Sequence, residues 1–229
     1  MTDVRRPDGE VFGAIIVAAG SGVRMDGLDK LFTRVGGRAL LAHTVAAFQE
    51  CWNIDRIAVV LSESSQKAGR AMLAEEGFTK IVGVCPGGPR RQDSVSCGLK
   101  TLGQVDWVAV HDGARPLIRP GMISRGLEAA RETGASVPVL PLVDTIKEVA
   151  ADGSVVRTLD RSHLWAAQTP QVFRYDLLMR AHKEITENVT DDAAMIEMLG
   201  VPLKTYEGRR RNIKITTPDD LWLAEAYLH

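Results

Sequence analysis

Three cysteines, Cys51, Cys85 and Cys97, are too few and too scattered among 229 residues to staple a fold or cage a zinc ion. They fit a reducing compartment, where each serves as a small apolar side chain. Net charge is also nearly absent, at −1, so no overall positive field exists to hold a nucleic-acid backbone or an anionic membrane. No apolar run approaches the ~20 residues that span a bilayer. The stretch from Val11 to Ala19 is preceded by Asp8 and Glu10, where a signal peptide would carry basic residues. The expectation is a soluble, cytoplasmic protein with no membrane or nucleic-acid partner.

Two phosphate-binding signatures are missing as well. The glycine-rich stretch that follows the first apolar run is neither G-x-G-x-x-G opening directly into a helix nor G-x-x-x-x-G-K-[ST], which sets aside the usual dinucleotide fold and the P-loop ATPases. What stands there is Val17-Ala18-Ala19-Gly20-Ser21-Gly22-Val23-Arg24-Met25, with Lys30 five residues on. Small residues let backbone approach a ligand closely, and Gly20 and Gly22 can take positive φ so that successive N–H groups converge on an anion. Arg24 and Lys30 add two permanent charges, read as surface cations. The stretch reads as a phosphate grip at the carboxyl end of a strand.

The rest of the chain repeats the theme. With 45% hydrophobic and 25% charged residues it has the composition of an ordinary globular α/β domain, spanning 1–229. Periodicity predicts a helix over Arg38–Cys51, a strand over Ile54–Leu61, a helix over Ser64–Gly77 capped by Ser64 or Ser65, and a strand over Thr79–Val84. That order implies a mostly parallel, right-handed sheet. Gly87-Gly88-Pro89-Arg90-Arg91-Gln92-Asp93-Ser94 then precedes a helical pattern over Val95–Leu102. Asp93 or Ser94 fits a simple helix cap there; the double glycine with Arg90, Arg91 and Ser94 also suits a base and ribose beside a triphosphate.

Val105–Val110 predicts the fourth strand, ending in His111-Asp112-Gly113-Ala114-Arg115-Pro116. A carboxylate at that edge of an open α/β sheet faces the crevice where such folds bind ligands. Asp112 suits a magnesium ion or a hydroxyl there, or a turn cap; Arg115 suits an anion or an ion pair. No Ser or Cys nucleophile surrounds His111, which therefore reads as a packed residue and not a base.

A helix over Pro120–Arg131 and a strand over Ala135–Leu140 follow, and then the rhythm breaks. Asp144–Val149 alternates apolar and polar, Asp152-Gly153 turns, and Ser154–Leu159 answers. This is a β-hairpin arm over 143–159, and a lone hairpin needs something to pack on; the same arm of a second copy is the economical partner. Beyond it, Arg161 and Thr169 have the chemistry of phosphate ligands. Helices are predicted over Tyr175–Glu187 and Asp192–Leu199, an edge strand over Val201–Tyr206, and a further strand over the basic run Arg209–Thr216. Lys214, between Ile213 and Ile215, would point into the cleft. Pro218 starts the terminal helix.

Taken in order, Ala18–Gly22 with Arg24 and Lys30, Gly87-Gly88 with Arg91 and Ser94, His111–Pro116, Asp144–Lys147, Gln168–Gln171, Thr190–Asp192 and Asn212–Thr216 resemble the 2-C-methyl-D-erythritol 4-phosphate cytidylyltransferase family over nearly the whole chain. The resemblance implies a Rossmann-like nucleotidyltransferase sheet flanked by helices with an inserted β-hairpin arm, a homodimer through that arm, and Mg²⁺ as cofactor. It implies transfer of the cytidylyl group of CTP to methylerythritol phosphate in isoprenoid precursor synthesis. By the same resemblance Arg24, Lys30, Asp112 and Lys214 are catalytic, with Asp112 at the metal. Ala18, Ala19, Gly20, Ser21, Gly22, Gly88, Arg91 and Ser94 contact CTP, and Arg115, Thr145, Arg161, Thr169 and Thr190 serve the acceptor. Asp29 beside Lys30, Pro89 and Gly113 depart from the family pattern. A cytidylyltransferase for another polyol phosphate, such as ribitol 5-phosphate, shares the nucleotide half of this reading. The Arg-Met and Asp-Lys of the first loop also resemble molybdenum cofactor guanylyltransferases, which lack the arm.

Overall fold

The computed structural model describes residues 9–20 and 30–228. Strand β1 (Phe12–Ala18) comes first; a 3-10 turn (Lys30–Phe32) and the short strands β2 (Arg34–Val35) and β3 (Arg38–Ala39) precede α1 (Leu40–Glu50). Then β4 (Arg56–Leu61), α2 (Gln66–Glu75), β5 (Ile81–Pro86), α3 (Arg91–Leu102), β6 (Trp107–Asp112), α4 (Pro120–Thr133) and β7 (Ala135–Pro141) alternate. The hairpin β8 (Lys147–Val149) and β9 (Val155–Thr158) interrupts them. After it run β10 (Trp165–Ala167), β11 (Gln171–Arg174), α5 (Tyr175–Glu184), α6 (Asp192–Met198), β12 (Lys204–Glu207) and α7 (Pro218–Leu228).

Strands β5, β4, β1 and β6 lie side by side and parallel, and β11 joins β6 antiparallel. β10 and β11 share one edge of β7, while β12 lies parallel along the other. The α/β class, the mostly parallel sheet and the inserted hairpin are thus as the sequence predicts.

Parallel strands covered on both faces need apolar side chains in both directions, which is why β1, β4 and β6 read as unbroken apolar runs. The pleat then sorts them. Phe12, Ala14 and Ile16 of β1, Ile57, Val59 and Leu61 of β4, and Trp107 and Ala109 of β6 pack with α1, α4 and α7. The intervening Ile15, Ala58, Val60, Val108 and Val110 pack with α3, α5 and α6. Helix α3 crosses β1 so closely that a Cβ on Gly98 would lie 2.4 Å from Ile15 Cγ2. Only glycine permits that approach.

Three local expectations change. Helix α3 starts at Arg91, four residues before the first apolar-periodic position, because the Asp93 carboxylate accepts the Arg90 N–H and stabilises a polar first turn. At the start of α2, Ser65 sits at the cap position without a capping hydrogen bond, its hydroxyl being engaged by Ser62. The basic run Arg209–Thr216 is no strand: Asn212 and Ile215 are both fully buried, a spacing of three that a strand with period two cannot supply. Arg209, Arg210 and Arg211 are exposed, and Arg211 lies over the Tyr227 ring at 5.0 Å.

His111, near the end of β6, is completely buried with its ring 5.1 Å from that of Phe48. Its Nε2–H donates to the Arg115 carbonyl, so Nδ1 is left to accept from the Thr169 hydroxyl. Burial lowers its pKa from 6.5 to about 3, against the raising influence of Asp112. The ring is a neutral core element, as its sequence context predicts.

That neutrality makes folding acid-sensitive. Below pH 6.5 the unfolded chain takes up a proton that the folded chain refuses until about pH 3, so this stability is present above 6.5 and lost as pH falls. His182, lowered by burial too, adds to the same slope. Urea unfolding is expected to show a loss of roughly 2 kcal/mol between pH 7.5 and 5 from His111 alone. The loss should be correspondingly smaller in His111→Gln; an equal slope in both proteins would contradict the assignment.

Candidate active site

The carboxyl ends of β1 and β6 are adjacent, Val17 pairing with Asp112. Between them and the start of α3 opens a cleft of about 500 Å³. Ala18, Ala19 and Gly20 form its floor from β1; Gly88, Pro89, Arg90, Arg91 and Ser94 form the wall from the β5–α3 loop; Lys30, Asp112 and Lys214 supply further charges. A larger groove of about 820 Å³ lies at the root of the hairpin, against β7, β10, β12 and Arg209–Arg211, and has none of the glycine loops. The smaller cleft is therefore the candidate.

The backbone here is built for close approach. A Cβ on Gly87 would lie 2.2 Å from the Ala19 Cβ, so the two loops touch only because residue 87 has no side chain. Ser94 Oγ accepts the Gly88 N–H at 3.2 Å and faces the Arg90 carbonyl at 3.2 Å, folding the double-glycine turn onto the first turn of α3. The N-terminal amides of α3 accordingly open beside the cleft, a favourable setting for an anion. Gly20 departs from expectation. Its φ lies outside the positive range, and nothing stands within 4 Å of where a Cβ would be, so it contributes open space.

Asp112 gathers the charges. Its Oδ2 lies 3.1 Å from Lys214 Nζ and 3.4 Å from Arg115 Nε, and its Oδ1 lies 3.7 Å from Arg91 Nη2. Burial works against this carboxylate's charge, but Arg91, Lys214 and Arg115 outweigh it and hold the pKa at about 2. Arg91 is anchored from behind by Asp192, which is fully buried and takes Nη1 in a short ion pair. Burial opposes the Arg91 charge too, yet Asp192 and Asp112 keep the guanidinium above its ordinary value. Arg91, Arg115 and Lys214 set against Asp112 and Asp192 leave one positive charge in excess, to which Lys30 in the cleft adds another.

Lys30 is not the surface cation expected from its loop. It is only 9% exposed and its ammonium donates to the Ile215 carbonyl at 2.9 Å. Its position is thus tied to the segment that carries Lys214. Ser21, Gly22 and Arg24 lie outside the described residues, as does Asp29.

The acceptor-side residues divide. Arg115 does not line the cleft but pairs with Asp112, which does, and its Nη1 donates to the Asn212 carbonyl at 2.8 Å. Thr169 is buried with its hydroxyl spent between the Asp112 N–H and His111, so it holds Asp112 in place from beneath and does not face the cleft. Thr145, Arg161 and Thr190 are exposed and absent from the cleft lining. Arg161 belongs to a short 3-10 turn that Asp160 caps through the Ser162 N–H. Two residues without an assigned role in the sequence reading also matter: Asp192, which anchors Arg91, and Asn212. The Thr-Asp-Asp run held the clue to the first, since Asp191 caps α6 and frees the next carboxylate to turn inward.

Among the described residues no cluster of three or more His, Cys, Asp or Glu side chains could cage a metal, and no helix is long and apolar enough to cross a membrane. A single hard carboxylate in the cleft does suit magnesium, which is commonly held by one or two carboxylates together with substrate phosphates.

Similarity to known proteins agrees with this geometry. A model of the 2-C-methyl-D-erythritol 4-phosphate cytidylyltransferase family matches residues 12–229. The chain is 48% identical over 219 residues to the cytidylyltransferase of that name from Dehalococcoides mccartyi strain 195, covering 96% of each chain, and 42% identical over 221 residues to that of Bacillus licheniformis, covering 95% of each. Among solved structures, 4-diphosphocytidyl-2C-methyl-D-erythritol synthase from Anaerococcus prevotii superposes with a TM-score of 0.84 at 32% identity, covering 96% of this chain and 97% of its own. The Thermus thermophilus 2-C-methyl-D-erythritol 4-phosphate cytidylyltransferase gives 0.77 at 34% identity, with 93% and 97% covered. Since sequence and fold agree over nearly the entire length, the chain belongs to the 2-C-methyl-D-erythritol 4-phosphate cytidylyltransferase family.

Proposed function

We propose that this protein transfers the cytidylyl group of CTP to 2-C-methyl-D-erythritol 4-phosphate, releasing pyrophosphate, as a step of isoprenoid precursor synthesis. The observation that carries the reading is the cluster of Arg91, Arg115 and Lys214 on Asp112, with Lys30 beside it, in a cleft walled by two small-residue loops.

The chemistry needs cations more than it needs a base. A phosphate monoester has its second pKa near ~6 and is largely dianionic at neutral pH, so the nucleophile arrives ready. One of its oxygens forms a bond to the α-phosphorus of CTP while the bond from that phosphorus to the bridging oxygen breaks and pyrophosphate departs with the electron pair. The barrier is the repulsion of two anions, which fixed positive charge and alignment lower. Burial lowers the pKa of His111 to about 3, and the cations around Asp112 lower its pKa to about 2, so both are too weakly basic to take a proton from the acceptor near neutrality. The α- and β-phosphates fit against the loop at Ala18–Gly20 and the amides of α3, with Lys30 at the triphosphate, the role the family resemblance also gives to Arg24. The base and ribose fit the wall at Gly88, Arg91 and Ser94, and the family resemblance assigns Ser21 and Gly22 to CTP as well. Magnesium, held by Asp112 and the phosphates, would supply further charge neutralisation. Lys214 is free to turn from Asp112 toward the phosphates once that carboxylate has another partner.

The acceptor side is assigned to a second subunit. All seven residues of β8 and β9 are exposed, among the described residues the two strands pair only with each other, and Val149, Val155 and Val156 are each more than half exposed. A hairpin with apolar side chains on its surface is marginal alone. Exchange of arms in a twofold dimer would bury them and carry Thr145 and Arg161 to the partner's cleft, with Thr190 on the acceptor side. All three cysteines are free thiols, in keeping with a reducing, cytoplasmic setting.

Two outcomes are expected. Pyrophosphate release with magnesium, measured for CTP, GTP, ATP and UTP against methylerythritol 4-phosphate and ribitol 5-phosphate, should be confined to CTP with the methylerythritol ester; preference for ribitol phosphate would move the acceptor assignment, and no release would refute the activity. Lys214→Ala and Arg161→Ala should each lose most turnover alone. Mixed and allowed to exchange subunits, they should recover about a quarter of wild-type activity, because half the dimers then hold one intact site. No recovery would mean that Arg161 does not serve the partner's cleft.

A further inference from the structure

The turn at Gln168-Thr169 touches Asp112 on one side and, on the other, the segment that leads into Lys214, and this double contact is not explained by the chemistry assigned above. On one side the Thr169 hydroxyl accepts the Asp112 N–H at 3.1 Å and donates to His111. On the other side the same residue's carbonyl accepts from Asn212 Nδ2 at 2.8 Å, two positions before Lys214.

Gln168 completes the clasp. Its Oε1 accepts the Arg209 N–H at 3.1 Å and faces Asn212 Nδ2 at 3.4 Å, while its Nε2 donates to the carbonyls of Arg209 at 3.0 Å and Asn212 at 3.3 Å. Asn212 is wholly buried, and its Oδ1 is without a hydrogen-bond partner among the described residues. A buried amide that leaves its oxygen unpaired is costly, and only the Nδ2 contacts account for its presence. The amide's orientation is fixed by its neighbours, since the flipped form would set Oδ1 against two other oxygens. Beyond Lys214 the segment is held again, by the Ile215 N–H on the Ala114 carbonyl at 2.8 Å and by Lys30 on the Ile215 carbonyl. Lys214 itself is about half exposed and packed by nothing equivalent.

We infer that Asn212 and Gln168 are positioning residues for catalysis: with Thr169 they set the height of the Lys214 segment over Asp112, so that the ammonium meets the carboxylate and, in turn, the triphosphate. The inference rests on the proposed transferase reaction for its kinetic consequence, but the placement of Lys214 is measurable without turnover.

The experiment compares the wild-type chain with Asn212→Ala and with Gln168→Met, which keeps volume and loses the hydrogen bonds, each in the Lys214 and Lys214→Ala backgrounds. Thermal melting fixes an assay temperature at which every protein is folded. With Lys214 present, kcat should fall about tenfold or more while the KM for CTP changes far less, the scale expected for a slight misplacement of a charge. In the Lys214→Ala background the same substitutions should change kcat by no more than about twofold, because residues acting through one group are not additive. Independently, the rate of amine labelling at Lys214, read by peptide mass spectrometry, should rise in both variants while that at the surface residues Lys100 and Lys183 stays constant. Equal fold-losses in the two backgrounds, or labelling at Lys214 unchanged, would overturn the inference. Wild-type protein without turnover would refute the transferase reading alone, leaving the labelling to decide the placement.

Discussion

A single carboxylate surrounded by cations is the constraint on which the site depends. Asp112 closes a strand inside a parallel sheet, where burial alone would favour its neutral form, and it stays ionised because Arg91, Lys214 and Arg115 converge on it. Each of those three comes from a different part of the chain: the start of α3, the turn after β6, and the segment before α7. Removing Asp112 would leave mutually repelling cations, and removing the cations would leave a buried anion. Within the unliganded chain the pairing keeps a set of charges at the density that two reacting phosphates require.

The fold makes this arrangement by routing. A parallel sheet brings its carboxyl ends to one edge, so the loops after β1 and β5 and the end of β6 meet there without further instruction. The departures from parallel order then matter for function. Strands β10 and β11 reverse direction beside β6 and β7, and the turn between them carries Thr169 beneath Asp112. The segment leaving β12 comes back across the same edge, which is how residues near 214 reach a carboxylate at 112.

The hairpin stands outside this economy. It interrupts the chain between β7 and β10, makes a sheet of its own and keeps its valines on the surface. Among the described residues its strands join no other sheet, whereas the cleft has abundant groups for a triphosphate and few for an acceptor. Those two facts are the ones that the proposed exchange of arms between two subunits would account for together.

Much of this was legible in the amino-acid order. Apolar runs long enough for strands and buried on both faces, helices with period 3.6 between them, and small residues at strand ends follow from local chemistry, so the α/β order, the glycine loops, the hairpin and the cationic character of the site could be read directly. The tertiary structure decided the rest. Lys30 looked like a surface charge because its partner, the Ile215 carbonyl, lies 185 residues away; the basic run before α7 looked like a strand because its alternation hid the burial of Asn212. Thr169 looked like a phosphate ligand because a hydroxyl's partners are invisible until the chain has folded. Periodicity reports which face of an element is buried, but which atoms meet across 57 to 185 residues depends on how the sheet is threaded, and a sequence records that only through the structure it forms.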